Sequence, residues 1–213
     1  AFALETEQKI NYQSQLVALD EFTQVVKEFS AIGGKGANVT VPFKEQALEL
    51  CDHLSDRARL AGAVNTLSFK GSLIYGDNTD GLGLVQDLLN NDVSFSGSRV
   101  LILGAGGAAR GVILPILEQR VANLVIANRT VSKAELLSEQ FSDERIEACG
   151  FDEITIQTYD VIINATSASL SNAVPSISEQ LISRQTVCYD MVYGKELTPF
   201  LVWANQHGAK SVI

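Results

Sequence analysis

Residues Arg99–Leu117 read RVLILGAGGAARGVILPIL. Val100 to Leu103 are apolar without interruption and lead straight into Gly104-Ala105-Gly106-Gly107-Ala108-Ala109. A strand that is apolar at every position has both faces covered, the condition of a parallel strand inside an α/β sheet. The glycine run fits G-x-G-x-x-G/A with alanine in the last place, and its setting between a buried strand and a helix gives this short pattern physical content. Gly104 permits a tight turn. Gly106 lets backbone approach a pyrophosphate, which the free N–H groups and dipole of the helix N-terminus would stabilise. A tight strand-to-helix turn with no ligand is the bland alternative. Pro115 falls inside the expected helix, where it removes a hydrogen bond and should bend the axis.

Downstream, apolar runs recur at Leu124 to Ala127, Val161 to Asn164 and Val187 to Tyr189, separated by helical or looped stretches. That βαβ rhythm predicts a doubly wound parallel sheet. The second of these strands, NLVIANRT, discriminates between cofactors. An NAD site places Asp or Glu at this strand end to accept hydrogen bonds from the ribose hydroxyls, whereas an NADP site must neutralise a 2′-phosphate. Asn128, Arg129 and Thr130 stand there, with Ser132 and Lys133 just beyond, and no acid. A guanidinium fork, a hydroxyl and an amide suit a phosphate, so NADP is the expected cofactor.

Upstream, helical spacing is expected over Leu19 to Phe29 and about Phe43 to Leu54, with a strand from Ala37 to Val41 between them. Two short β runs, Val64 to Phe69 and Ser72 to Tyr75, flank Lys70-Gly71 and predict a hairpin. From Asp80 the spacing of Leu82, Leu84, Val85, Leu88 and Leu89 turns helical and ends in Asn90-Asn91-Asp92. The domain boundary is placed there, giving residues 1–90 and 91–213.

Composition narrows the class. The chain has 213 residues, 46% hydrophobic and 19% charged, enough for a substantial core and without a run long enough to span a membrane. The net charge of −9 disfavours nucleic acid and anionic membrane as partners, while a small anionic ligand needs only a few local cations. The N-terminus, AFALETEQK, lacks the pattern of a signal peptide, so the cytoplasm is the expected compartment. Cys51, Cys149 and Cys188 are odd in number and widely spaced, so buried reduced thiols are expected rather than disulfides. His53 and His207 read as helix-surface imidazoles, and no metal is expected.

A dinucleotide half implies hydride transfer, so the first half should supply the substrate site and a proton donor. Polar residues cluster just outside apolar runs in three places: Asn38, Thr40 and Lys44; Asn65 and Thr66; and Asp77 to Asp80. A lysine beside a carboxylate can protonate or polarise a carbonyl oxygen, and Lys44 with Asp80 is the pair of choice. A surface lysine and a helix-capping aspartate explain the same spacing, and residue physics alone leaves both open.

NVTVPFKE, AGAVNT, DNTDG, GAGGAARG, NRT and NATS follow one another in this order over the whole chain. Together they resemble the shikimate dehydrogenase family, which reduces 3-dehydroshikimate to shikimate with NADPH in the pathway to chorismate and aromatic amino acids. The resemblance implies a two-domain α/β protein, an α/β substrate domain plus a Rossmann domain, with the active site between them. It implies Lys44 as catalytic acid/base and Asp80 as its partner and substrate ligand. Thr40 and Asn65 would bind the substrate hydroxyls or ketone, and Tyr193 would reach towards the carboxylate. On the cofactor side it implies Asp56, then Gly104, Ala105, Gly106, Gly107 and Ala108, then Asn128, Arg129, Thr130, Val131, Ser132 and Lys133. Thr166, Ser167 and Met191 would line the nicotinamide.

The family's GxPxxxSxSP segment and GxGMLVxQA helix have no counterpart here, so the chain reads as an internal portion of the family's length. Ser169 stands where glycine is usual, and Lys133 where arginine is common. A sibling that takes quinate and prefers NAD is one rival, opposed by Asn128-Arg129-Thr130. A non-catalytic dinucleotide-binding protein is the other, opposed by the retention of Lys44 with Asp80. The oligomeric state is not legible, with a homodimer among the options.

Overall fold

The structure, a computed structural model, describes residues 9–40, 42–192, 194 and 196–212, of which 211 and 212 are described by their backbone alone. Two sheets organise it. The first carries α1 (Phe22–Ala31), β1 (Gly36–Asn38), α2 (Lys44–Glu49), β2 (His53–Leu54), α3 (Asp56–Ala61), β3 (Thr66–Lys70) and β4 (Leu73–Asp77). Then follow α4 (Asp80–Asn90), β5 (Arg99–Leu103), α5 (Gly107–Leu117), β6 (Asn123–Ala127), α6 (Val131–Phe141), β7 (Ile146–Cys149), β8 (Val161–Asn164), β9 (Val187–Asp190), α7 (Pro199–Gln206) and β10 (Lys210–Val212). The first sheet has the order β1-β3-β4-β2, the second β10-β9-β8-β5-β6-β7 with every neighbouring pair parallel.

β5 explains the second sheet. Val100 and Ile102 enter the core on one face, Leu101 and Leu103 the core on the other, and all four are fully buried. Each such side chain contributes roughly 1.5–3 kcal/mol by leaving water. Parallel β6 and β8 flank β5, so strand order reverses on either side of it, the arrangement that opens a crevice at the carboxyl ends.

Three local expectations differ from the structure. The strand stops at Asn38 instead of running to Val41, although the Val39 N–H still donates to the Asn65 carbonyl at 2.7 Å. The chain then turns, Phe43 N–H donating to the Thr40 carbonyl at 3.0 Å, and Val41 lies outside the described residues. The helix expected to reach Leu54 ends at Glu49, because Asp52 exchanges two bonds with Ile74 and pulls His53–Leu54 alongside β4. Ser55 then caps a separate helix, its Oγ accepting from the Ala58 N–H at 3.2 Å. His53 therefore sits in a strand, stacked on Tyr75, while His207 ends α7 against Trp203.

α4 joins the two sheets. Leu84, Val85 and Leu88 are buried in the core of the second sheet, although the helix follows directly from the first. Gly81 in its first turn touches α5 backbone to backbone: a Cβ there would collide with the Gly111 carbonyl oxygen and lie 2.7 Å from Pro115 Cγ. Pro115 does lie inside α5, and its ring forms part of this seam.

Candidate active site

Lys44 opens α2 and Asp80 opens α4, and the fold brings them together across 36 residues of sequence. Lys44 Nζ donates to Asp80 Oδ2 at 2.6 Å, with both side chains about one-third exposed. An ion pair this accessible contributes about 0–1 kcal/mol to folding, so its value is in fixing the ammonium's position. The other oxygen, Oδ1, accepts from Asn65 Nδ2 at 2.6 Å. Asn65 is buried, and its Oδ1 accepts from the Thr79 N–H at 3.0 Å and Thr66 Oγ at 2.8 Å. Three of the four substrate-side residues that the structure describes thus form one connected array. Thr40, the fourth, is exposed in the turn before α2, and Tyr193 lies outside the described residues.

A second layer, of which the sequence marked only Asp77, holds this array. Asp77 ends β4, and its carbonyl accepts the Asn65 N–H at 3.0 Å. Its carboxylate accepts from Ser55 Oγ at 2.6 Å and Arg57 Nε at 2.8 Å, with Arg57 Nη2 on the other oxygen. Burial pushes the Asp77 carboxyl up, but the hydrogen bonds from Arg57 and Ser55 with the guanidinium charge outweigh it, and the net direction is down. A depressed carboxylate stabilises the fold fully above its unfolded value and loses that contribution as pH falls through its lower folded value. The melting-temperature gap between this protein and Asp77→Asn should therefore be full near neutrality. It should close below the ordinary carboxyl value of 3.8, which calorimetry across that range would check; a pH-independent gap would contradict it.

At the carboxyl end of β5, Gly104 has φ +107°, and a Cβ would lie 3.1 Å from the Ala165 carbonyl, so glycine is required on both counts. Its N–H donates to the Ala127 carbonyl at 2.7 Å, which fixes the turn. Ala105 is buried, while Gly106, Gly107 and Ala108 are exposed, and a Cβ on either glycine would meet nothing within 4 Å. The N-terminus of α5 thus faces open space with uncapped N–H groups, a cradle that fits a pyrophosphate.

Beyond β6, Asn128 Nδ2 donates to the Thr130 carbonyl at 2.8 Å and closes the turn into α6, whose first turn carries Val131, Ser132 and Lys133. Arg129, Thr130, Ser132 and Lys133 are exposed, and among the described residues neither cation has an ion-pair partner. Both charges are available to a 2′-phosphate, so the residues present fit NADP. Asp56 stands in the first turn of α3 with its side chain 90% exposed, 4.0 Å from Arg59.

Thr166, Ser167 and Met191 occupy the loops after β8 and β9. Asn164 and Asp190 end those strands opposite each other, both buried. Asn164 Oδ1 accepts from the Thr166 N–H at 3.1 Å and Thr166 Oγ1 at 2.7 Å. Asp190 Oδ2 accepts from Ser169 Oγ and Thr198 Oγ1, each at 2.6 Å, and from Asn164 Nδ2 at 3.1 Å, while Oδ1 accepts the Val192 N–H at 3.0 Å. The sequence signal for this network was an acid directly after the apolar Val187–Tyr189 run, a polar group at a buried strand's end.

The cysteines are free, Cys188 buried and the other two half-buried. Burial pushes Cys51 up to about 11 and Cys188 up to about 12, and raises Cys149, which makes all three poor nucleophiles. Among the described residues no group of three His, Cys, Asp or Glu could hold a metal ion, and no helix is long and apolar enough to cross a membrane.

Comparison with known proteins places these features in context. Residues 1–67 match the shikimate dehydrogenase substrate binding domain family, and residues 84–191 the shikimate / quinate 5-dehydrogenase family. A shikimate dehydrogenase (NADP(+)) of Colwellia psychrerythraea is 60% identical over 212 residues, covering 100% of this chain and 77% of that protein. Among solved structures, an Ael1 enzyme from Pseudomonas putida superposes with TM-score 0.93 at 39% identity, covering 99% of this chain and 79% of the other. The shikimate 5-dehydrogenase of Thermus thermophilus in complex with NADP(H) and shikimate superposes with TM-score 0.84 at 28% identity, covering 99% and 78%.

Proposed function

Because this chain belongs to the shikimate dehydrogenase family, whose curated relatives use NADP, we propose that Lys44, Asp80 and Asn65 are the groups through which it reduces 3-dehydroshikimate to shikimate. The observation that carries this assignment is the 2.6 Å contact of Lys44 Nζ with Asp80, held in turn by Asn65. NADPH, when bound, supplies the hydride. As the ketone carbon accepts it, negative charge builds on the carbonyl oxygen, and the Lys44 ammonium is the donor that converts this oxygen to the product hydroxyl. Asp80 keeps the ammonium aimed, and Asn65 keeps Asp80 from turning away. Lys44 is partly exposed, so it can regain its proton from solvent. Thr40 and Tyr193 complete the proposed substrate set.

For the cofactor, the open N-terminus of α5 would receive the pyrophosphate at Gly104 to Ala108. Asn128 to Lys133 would hold the 2′-phosphate, Asp56 would approach from α3, and Thr166, Ser167 and Met191 would border the nicotinamide. We assign residues 1–90 to the substrate domain and 91–213 to the NADP domain, with α4 belonging by sequence to the first and by packing to the second. The chain spans 77% of the length of its Colwellia relative, so substrate affinity is best measured on this polypeptide directly. Three free thiols accord with a cytoplasmic setting, and sedimentation velocity would decide between monomer and homodimer.

The test is NADPH appearance on mixing the protein with shikimate and NADP, with quinate and NAD as parallel arms. Turnover confined to the shikimate and NADP arm is expected. NADP binding without turnover would leave a cofactor-binding protein, and equal rates with NAD would remove the role given to Arg129.

A further inference from the structure

We propose that Ser169, acting through the buried carboxylate of Asp190, is a positioning residue that sets how tightly the nicotinamide half of the cofactor is held, independently of the adenosine half. The proposal rests on the NADP reading above. Strand order reverses at β5, and a dinucleotide lies across the carboxyl ends of the sheet at that point. Arg129 and Lys133 stand on the β6 side, which takes the phosphorylated adenosine, so the nicotinamide falls to the side of β8 and β9.

The loop leaving β8 carries Thr166 and Ser167 and then folds into a short 3₁₀ turn, Ala168–Ser171. No residue of that turn is buried, and Leu170 points into solvent. Apolar packing therefore does not anchor it. The Ser169 hydroxyl does, through its 2.6 Å bond to Asp190 Oδ2, and Asn164 Nδ2 lies 3.3 Å from the same hydroxyl. Asp190 also receives Thr198 from the cap of α7 and the Val192 N–H from the loop leaving β9, so one carboxylate ties together both loops at the nicotinamide end. Removing the Ser169 hydroxyl leaves Thr166 bonded to Asn164 and the Ala168 N–H on Thr166 Oγ1, but cuts the tie that holds the middle of the turn to Asp190. A loop that must be ordered on binding lowers affinity for whatever it contacts and leaves distant contacts unaffected.

The experiment compares two probes by titration calorimetry: NADPH, and adenosine 2′,5′-bisphosphate, which contains the phosphorylated adenosine half alone. For Ser169→Ala, NADPH affinity should fall by about fivefold or more, the scale of a lost hydrogen bond to a charged acceptor. Affinity for the bisphosphate should stay within roughly 1.5-fold, because its 2′-phosphate would meet the Arg129 side and its 5′-phosphate the N-terminus of α5, while the Ser169 hydroxyl bonds only Asp190 and Asn164. Ser169→Thr, which keeps the hydroxyl, should restore NADPH binding. Equal weakening of both probes would mean a general structural defect, and no weakening of either would mean an idle contact; each result overturns the proposal. Failure of the unmodified protein to bind either probe would instead overturn the NADP reading on which it stands.

Discussion

Replacing Lys44 by alanine should lower the turnover number by about 10²–10⁴-fold, the range for losing a positioned general acid, while the dissociation constant for NADPH changes by no more than roughly twofold. The separation follows from the architecture. Lys44 Nζ is committed to Asp80 in an array built from α2, α4 and Asn65, while the proposed phosphate cradle is a separate element, the turn after β5. Lys44→Arg is the sharper variant. It can keep an ion pair with Asp80, but a guanidinium does not release its proton at working pH, so it should fail nearly as badly as alanine. An arginine variant with near-normal turnover would show that Lys44 supplies only charge, and a normal alanine variant would remove it from the chemistry altogether. Stopped-flow turnover with fluorescence titration of NADPH gives both quantities on one sample.

Arg129→Glu should reduce kcat/KM for NADPH by roughly 10²–10³-fold, because it removes hydrogen bonds to a charged phosphate and adds a like charge beside it. With NADH, which has no 2′-phosphate, the same variant should lose little or improve. Arg129 is exposed at the end of β6, so its replacement should leave the melting temperature nearly unchanged. Lys133→Glu should act in the same direction more weakly, since an ammonium offers a point charge in place of a bidentate fork. Parallel loss with both cofactors would indicate damage to the turn itself and refute the phosphate assignment.

The parts legible in the sequence were those in which local pattern and burial agree. β5 is apolar because both of its faces are covered, and Gly104 is glycine because its φ is positive and Ala165 is close. The hairpin at Lys70-Gly71 and the helix from Asp80 were set by equally local signals. What was lost depended on distant partners. The apolar spacing through Leu54 suggested one helix, but Asp52 bonds to Ile74 and divides it into α2 and β2, with α3 starting afresh at Asp56. Ser55 and Gly62, which cap α3, were visible clues to that division. β7 and β10 are short edge strands without an apolar run, recognisable only once β6 and β9 are there to pair with them. Lys44 and Asp80 could be paired on paper, whereas the supporting pairs, Asp77 with Arg57 behind Asn65 and Asp190 with Ser169 in the second sheet, join residues whose proximity the sheets create.

The seam between α4 and α5 limits how this molecule can be recombined with its relatives. Gly81 meets Gly111 and Pro115 so closely that the three must come from one parent, which argues for a crossover before Gly81. Asp80, one residue earlier, is bonded to Lys44 and Asn65 on the other side of that crossover, which argues for one after it. A junction between Asp80 and Gly81, inside the first turn of α4, satisfies both demands. A chimaera cut anywhere else around α4 will need its parents matched either at the helix contact or at the proton-donating pair, and the adjacent positions 80 and 81 are where shuffled halves will first fail to fit.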